Sequence, residues 1–196
     1  LIMLNKLREK SSLIGIFWMI VTTIFFVGLT IFVKILGEKI PSSQTAFLRY
    51  LFGTIFLLPI IIKSFRGIQI KLINKFILRS FFHAIGVSLW FYSMTVITIA
   101  EVTAIGYLTP IFVCIGAIIL FKENIKGFRA FAITLSFIGA MIILRPGFQE
   151  VNLGQYSMLL AAFIFSFSYL MVKYLANTKS SLEIVGFLSL FTTIFL

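Results

Sequence analysis

The chain has 196 residues, is 60% hydrophobic and only 12% charged, carries a formal net charge of +11, and has one cysteine, Cys114. So much apolar surface cannot be hidden inside a soluble domain of this length, and a single cysteine excludes an intrachain disulfide. Continuous apolar runs, roughly twice the length of a membrane-barrel strand, leave an all-α polytopic membrane protein.

Residues 1–12 form a basic N-terminus (Lys6, Arg8, Lys10), with Met3 as the expected start. The apolar run from Leu13 is too long for a signal-peptide core and lacks a small-residue cleavage site, so it reads as a retained first span. Helices are expected over 13–36, 44–62, 76–98, 102–121, 128–144 and 154–175, with an incomplete one over 182–196. Gly37-Glu38-Lys39-Ile40-Pro41 closes the first, and Arg145-Pro146-Gly147 closes the fifth. A basic link with Lys63, Arg66, Lys71, Lys75 and Arg79 blurs the start of the third.

The fourth helix carries no charge from Val102 to Phe121 and is bounded by Glu101 and Glu123. Pro110 near its middle removes a backbone N–H and opens the helix, with Thr109 beside it and Gly106 and Gly116 flanking the break. A span broken near the midplane is a common way to build a solute site in a membrane, although a plain packing kink reads equally well here.

Thirteen Lys and Arg residues fall on alternate loops, and only Lys39 and Arg145 fall on the others. That bias places the N-terminus in the cytoplasm and points the positive charge at topology and lipid headgroups, with no nucleic acid. A shift of 139 residues aligns Gly15–Leu57 with Gly154–Leu196 without a gap, and 13 of 43 positions are identical. The pairs include Met19 and Met158, Phe26 and Phe165, Lys34 and Lys173, and Thr54 and Thr193. A five-helix unit is odd, so its second copy enters the membrane inverted. The expectation is a five-helix inverted repeat, the first copy over 13–147 and the second, truncated, over 154–196, from a natural chain of ten helices.

These features resemble the drug/metabolite transporter superfamily and its EamA-type domain. The landmarks are Phe47-Leu48-Arg49-Tyr50, Ala100-Glu101, Leu108-Thr109-Pro110, Lys122-Glu123, and Gly139 before Arg145-Pro146. The stretch from Leu78 to Asn124 looks most like the bacterial S-adenosylmethionine uptake branch. The resemblance implies ten helices, a central cavity, and secondary transport of a small metabolite across the bacterial cytoplasmic membrane by alternating access. Export of amino acids or other metabolites, or a truncated remnant without transport, are the alternatives.

Substrate-pathway candidates are Arg49, Glu101, Thr109, Pro110, His83, Trp90 and Tyr92. Arg49 inside a span reads as an anchor for an anionic group, or as a side chain snorkelling to headgroups. Glu101 reads as a partner for Arg49 or for a cationic substrate, or as a favourable charge at a helix N-terminus. His83, Trp90 and Met94 share one helical face, with Ser88 and Tyr92 on another, so that a heterocycle or sulfonium could stack there, or the rings could simply pack. Lys34 and Lys173 read as snorkelling or topology residues, and Glu123 with Lys126 as a solvated pair. With no Asp, one His, and neither HExxH nor GxSxG, no intramembrane enzyme is expected. No Walker motif points to ATP, and no cofactor or metal is expected. The expected partners are a small-molecule metabolite and the lipid bilayer. A homodimer of short forms in opposite orientations would rebuild a site, but the charge bias argues for one orientation.

Overall fold

A computed structural model describes residues 2–37, 39–66, 68–122, 127–144 and 152–196. The described residues form eight helices and no strand. They are α1 (Ile2–Leu36), α2 (Ser42–Phe65), α3 (Ile70–Val96), α4 (Ile99–Gly106), α5 (Thr109–Phe121), α6 (Gly127–Leu144), α7 (Leu153–Leu175) and α8 (Ser181–Phe195). Leu13–Leu36, Ser42–Phe65, Ile70–Val96, Ile99–Phe121 and Leu153–Leu175 are each long and apolar enough to cross a bilayer. The protein is an all-α polytopic membrane protein.

Helix starts follow local chemistry. Three begin with reciprocal capping boxes, Thr98 with Glu101 in α4, Asn152 with Gln155 in α7, and Ser180 with Glu183 in α8. The expected break in the fourth span is present. α4 stops at Gly106, residues 107 and 108 turn, and α5 restarts with Pro110 in its first turn. The backbone there stays near right-handed helical values, so the break is a kink that lets the chain re-enter a helix at once.

α3 is the central element. It packs on α7 along most of its length and also touches α2 and α8. α2 lies on α8, and α5 lies on α7. α1 is peripheral, with Phe25 and Phe32 open to the surroundings, as suits a helix in lipid. One core cluster surrounds Trp90, Phe91 and Met94, and a second surrounds Phe76 and Phe187.

α3 starts at Ile70 rather than near residue 76. Its first turns carry Lys71 and Lys75, which read as link in the sequence, but Leu72 and the fully buried Phe76 anchor those turns to α7 and α8. Arg79 therefore lies in the bundle, 4% exposed, and donates from Nη1 to the Ile184 carbonyl of α8 at 3.1 Å. Glu123, Lys126, Arg145 and Pro146 lie outside the described residues.

Close helix approach depends on a few glycines. A Cβ built at Gly86 of α3 would sit 2.9 Å from the Phe165 ring of α7. That ring is itself held between His83 and Trp90, so it has little room to yield. Gly86→Val is expected to lower stability by about 1–3 kcal/mol through overpacking. Gly28→Ala, where a Cβ meets nothing within 4 Å, should be neutral or slightly stabilising. Thermal unfolding of both variants in detergent checks the pair, and equal melting would refute the tight α3–α7 seam.

Candidate functional site

A cavity of about 900 Å³ lies among α1, α2, α3, the broken α4–α5 span and α7. α2 brings Arg49 and Tyr50 to its wall. α3 brings His83 and Trp90, α7 brings Phe165 and Tyr169, and α1 brings Phe26. The kink contributes Thr109 and Pro110.

Arg49 is the cation of this wall. Its Nη1 donates to Tyr50 Oη at 3.1 Å, and its guanidinium carbon lies 5.0 Å from the Tyr50 ring centroid and 5.8 Å from that of Trp90. Both distances are in cation–π range. The guanidinium is thus aimed inward by aromatic neighbours, although the residue as a whole is exposed.

Behind Arg49 runs a buried chain of hydrogen bonds. Tyr50 Oη lies 2.9 Å from His83 Nε2, and His83 Nδ1 lies 3.3 Å from Ser168 Oγ. Arginine can only donate, so the tyrosine oxygen accepts from Arg49 and keeps its own proton and a second lone pair for the bond to His83 Nε2. One chain of polar contacts thereby links α2, α3 and α7.

The rings form an aromatic wall. Phe26 stacks on Trp90 at 5.5 Å between centroids, and Phe165 meets Trp90 edge-on at 6.2 Å. Polar lining is mostly threonine. Thr22, Thr23, Thr30 and Thr103 each give their hydroxyl proton back to a carbonyl one turn earlier in their own helix. They therefore present acceptor lone pairs to the cavity. Among the described residues the lining includes no Asp or Glu, and Lys173, whose ammonium lies 4.6 Å from the Phe121 ring centroid, is a second cation there.

Arg49, His83, Trp90, Thr109 and Pro110 thus converge on one cavity. Two other candidates do not line it. Glu101 accepts from Thr98 N and Oγ1 and from Gln155 Nε2 at 2.7 Å, capping α4 and clasping it to α7. Tyr92 points outward from the opposite face of α3, 38% exposed, and Met94 is buried in the core. Lys34 donates to the Ile97 carbonyl at 2.7 Å, which ties α1 to the α3–α4 turn. Sequence reasoning missed Tyr50, Phe26, Phe165 and Tyr169. Tyr50 adjoins Arg49, and Phe26 and Phe165 are an identical pair in the 139-residue repeat, so both signals were present. Among the described residues no three His, Cys, Asp or Glu side chains gather into a metal-binding group.

The family model described as the EamA-like transporter family matches residues 13–145. Among curated proteins, the chain is 26% identical over 185 residues to an S-adenosylmethionine uptake transporter of Rickettsia prowazekii (strain Madrid E), covering 93% of this chain and 63% of that protein. It is 30% identical over 159 residues to a riboflavin transporter of Vibrio cholerae, covering 80% of this chain and 53% of that protein. A riboflavin transporter of Brucella anthropi is 26% identical over 155 residues, covering 79% of this chain and 55% of that protein. The chain spans less than two thirds of the length of these relatives. No solved structure matches.

The polar chain makes a test of its own. Tyr50→Phe removes the shared oxygen and strands both Arg49 Nη1 and His83 Nε2, at an expected loss of about 1–2 kcal/mol. A double-mutant cycle with His83→Leu should give a coupling near 1 kcal/mol in thermal unfolding. Additive losses would mean that the two rings merely touch.

Proposed function

The chain belongs to the EamA-like transporter family, and on that premise we propose that it carries a small metabolite with a planar ring and an anionic group through the cavity at Arg49. The observation that supports this most directly is the Arg49 guanidinium seated over Tyr50 and Trp90 in a wall whose described residues include no carboxylate. An anion there gains a charge-assisted hydrogen bond, and a ring gains contact area on Phe26, which is 48% exposed and is backed by Trp90.

S-adenosylmethionine is the substrate that this reading favours. Its carboxylate suits Arg49, and its purine and sulfonium suit the aromatic faces. Its ammonium, with no acid to meet, suits the threonine oxygens. Riboflavin, which is neutral, meets the aromatic wall but leaves Arg49 without an ionic partner.

Alternating access is part of the proposal. α1–α2 and α7–α8 are read as first and inverted second copies. α1 ends at Leu36 and α7 at Leu175, while α2 starts at Ser42 and α8 at Ser181, each pair 139 residues apart. Thr54 Oγ1 and Thr193 Oγ1, also 139 apart, meet at 3.1 Å where α2 crosses α8. Phe26 and Phe165 flank Trp90 from either side. Such meetings of equivalent residues are what a two-fold axis in the membrane plane would produce. The charge bias sets the N-terminus in the cytoplasm.

Uptake of labelled S-adenosylmethionine and of labelled riboflavin is the test, in a bacterial host that lacks both carriers. Arg49→Ala should reduce S-adenosylmethionine uptake about 10- to 100-fold at subsaturating concentration, the equivalent of one charged hydrogen bond. Arg49→Lys should restore part of it. Riboflavin uptake that ignores Arg49→Ala, with no S-adenosylmethionine uptake, would overturn the anionic-anchor reading.

A further inference from the structure

A second concavity, about 620 Å³, lies away from the cavity, where the first turns of α3 meet the last turn of α7 and the turn after it. Lys71 and Lys75 come from α3, and Lys179 from beyond α7. Two of the three ammonium groups are held by neighbours. Lys75 Nζ sits 3.4 Å from the Tyr174 ring centroid, and Lys179 Nζ lies 2.9 Å from Glu183 Oε1. Among the described residues Glu183 is the acid paired with this set. Its other oxygen already accepts from the Ser180 backbone N–H and hydroxyl at the start of α8. Three lysines against one committed carboxylate leave the groove positive.

The apolar side of the groove has a direction. Lys71, Lys75 and Leu78 follow one another at helical spacing on one face of α3, and Phe81 and Ile85 continue the same stripe. Leu78, Phe81 and Ile85 are 50%, 45% and 37% exposed. The stripe therefore runs from a cationic end at the helix start to an open apolar track along the span. That is the profile of a phospholipid, with its phosphate at the helix end and an acyl chain beside the helix.

We propose that this groove binds the headgroup of an anionic phospholipid, its phosphate between Lys71, Lys75 and Lys179 and one chain along Leu78, Phe81 and Ile85. Tyr174 pre-positions Lys75, so little side-chain freedom is lost on binding. A soluble phosphate shares the headgroup chemistry, but it would use the lysines alone and gain nothing from the stripe. The occupied groove would bridge α3 and α7, the pair of helices that also frames the cavity. The inference depends on the membrane fold and not on what is transported.

Native mass spectrometry of the delipidated protein tests it. Phosphatidylglycerol is titrated against phosphatidylcholine of the same acyl chains, with inorganic phosphate as competitor. The expected result is selective phosphatidylglycerol binding that falls about fivefold for each lysine removed, hence about 25-fold in Lys71→Ala/Lys75→Ala. Lys39→Ala, at an exposed lysine outside the groove, should change nothing. Should the double variant fail to fold, Lys71→Gln alone leaves the Lys75–Tyr174 contact intact and should still lose about fivefold. Equal binding of both lipids, or selectivity unchanged in these variants, overturns the proposal. Displacement of the lipid by millimolar phosphate overturns the lipid assignment in favour of a soluble anion.

Discussion

The seam between α3 and α7 sets the position of nearly everything else. It closes because Gly86 admits the Phe165 ring and Gly154 admits Val96 and Ile97. In lipid no hydrophobic force separates helix contact from lipid contact, so such close packing, with its dispersion energy, carries helix association. The seam also fixes chemistry. Phe165, once seated on Gly86, faces His83 and Trp90, and one turn farther along α7 Ser168 meets His83. The cavity wall is thus a by-product of the packing that holds the helices together.

The same medium makes polar residues selective about partners. Arg79 is the sharpest case, a guanidinium 4% exposed whose Nη1 finds a carbonyl at the start of α8 while its Nε has no partner. A lysine in that place would present one compact, strongly hydrated charge; the planar guanidinium spreads its charge and can reach the carbonyl sideways. Glu183 caps the α8 turn that supplies this carbonyl and also holds Lys179. A single helix start therefore anchors α3 from inside the bundle and orders the basic groove outside it.

Much of this was legible in the chain because the signals are local or periodic. Apolar runs gave the spans, Pro110 gave the kink, and a seven-residue step put His83 and Trp90 on one face. Arg49 stood out because an uncompensated charge inside a span needs a reason. What could not be read depends on distant partners. Arg79 looked like one more basic link residue, since the carbonyl that receives it lies 105 residues onward. Glu101 looked free to serve the cavity, but Thr98 and Gln155 take up its oxygens, and Gln155 is 54 residues away. Tyr92 was a matter of rotation. Periodicity separates it from His83 but does not say which face meets α7.

Among its described residues the cavity combines two cations, no carboxylate, aromatic walls, and threonines that have already given away their protons. In a low-dielectric site a mismatch costs more than a match gains, because a buried donor or acceptor left unpaired forfeits its water. An anion entering here meets Arg49. A neutral or cationic nitrogen donor meets the threonine oxygens, and a flat ring meets the stack at Trp90. A simple metal cation meets repulsion with no carboxylate to offset it. Discrimination in this wall therefore arises as much from the groups it lacks as from Arg49 itself. On the proposed reading, the ligand carries its negative charge at one end and its aromatic surface at the other.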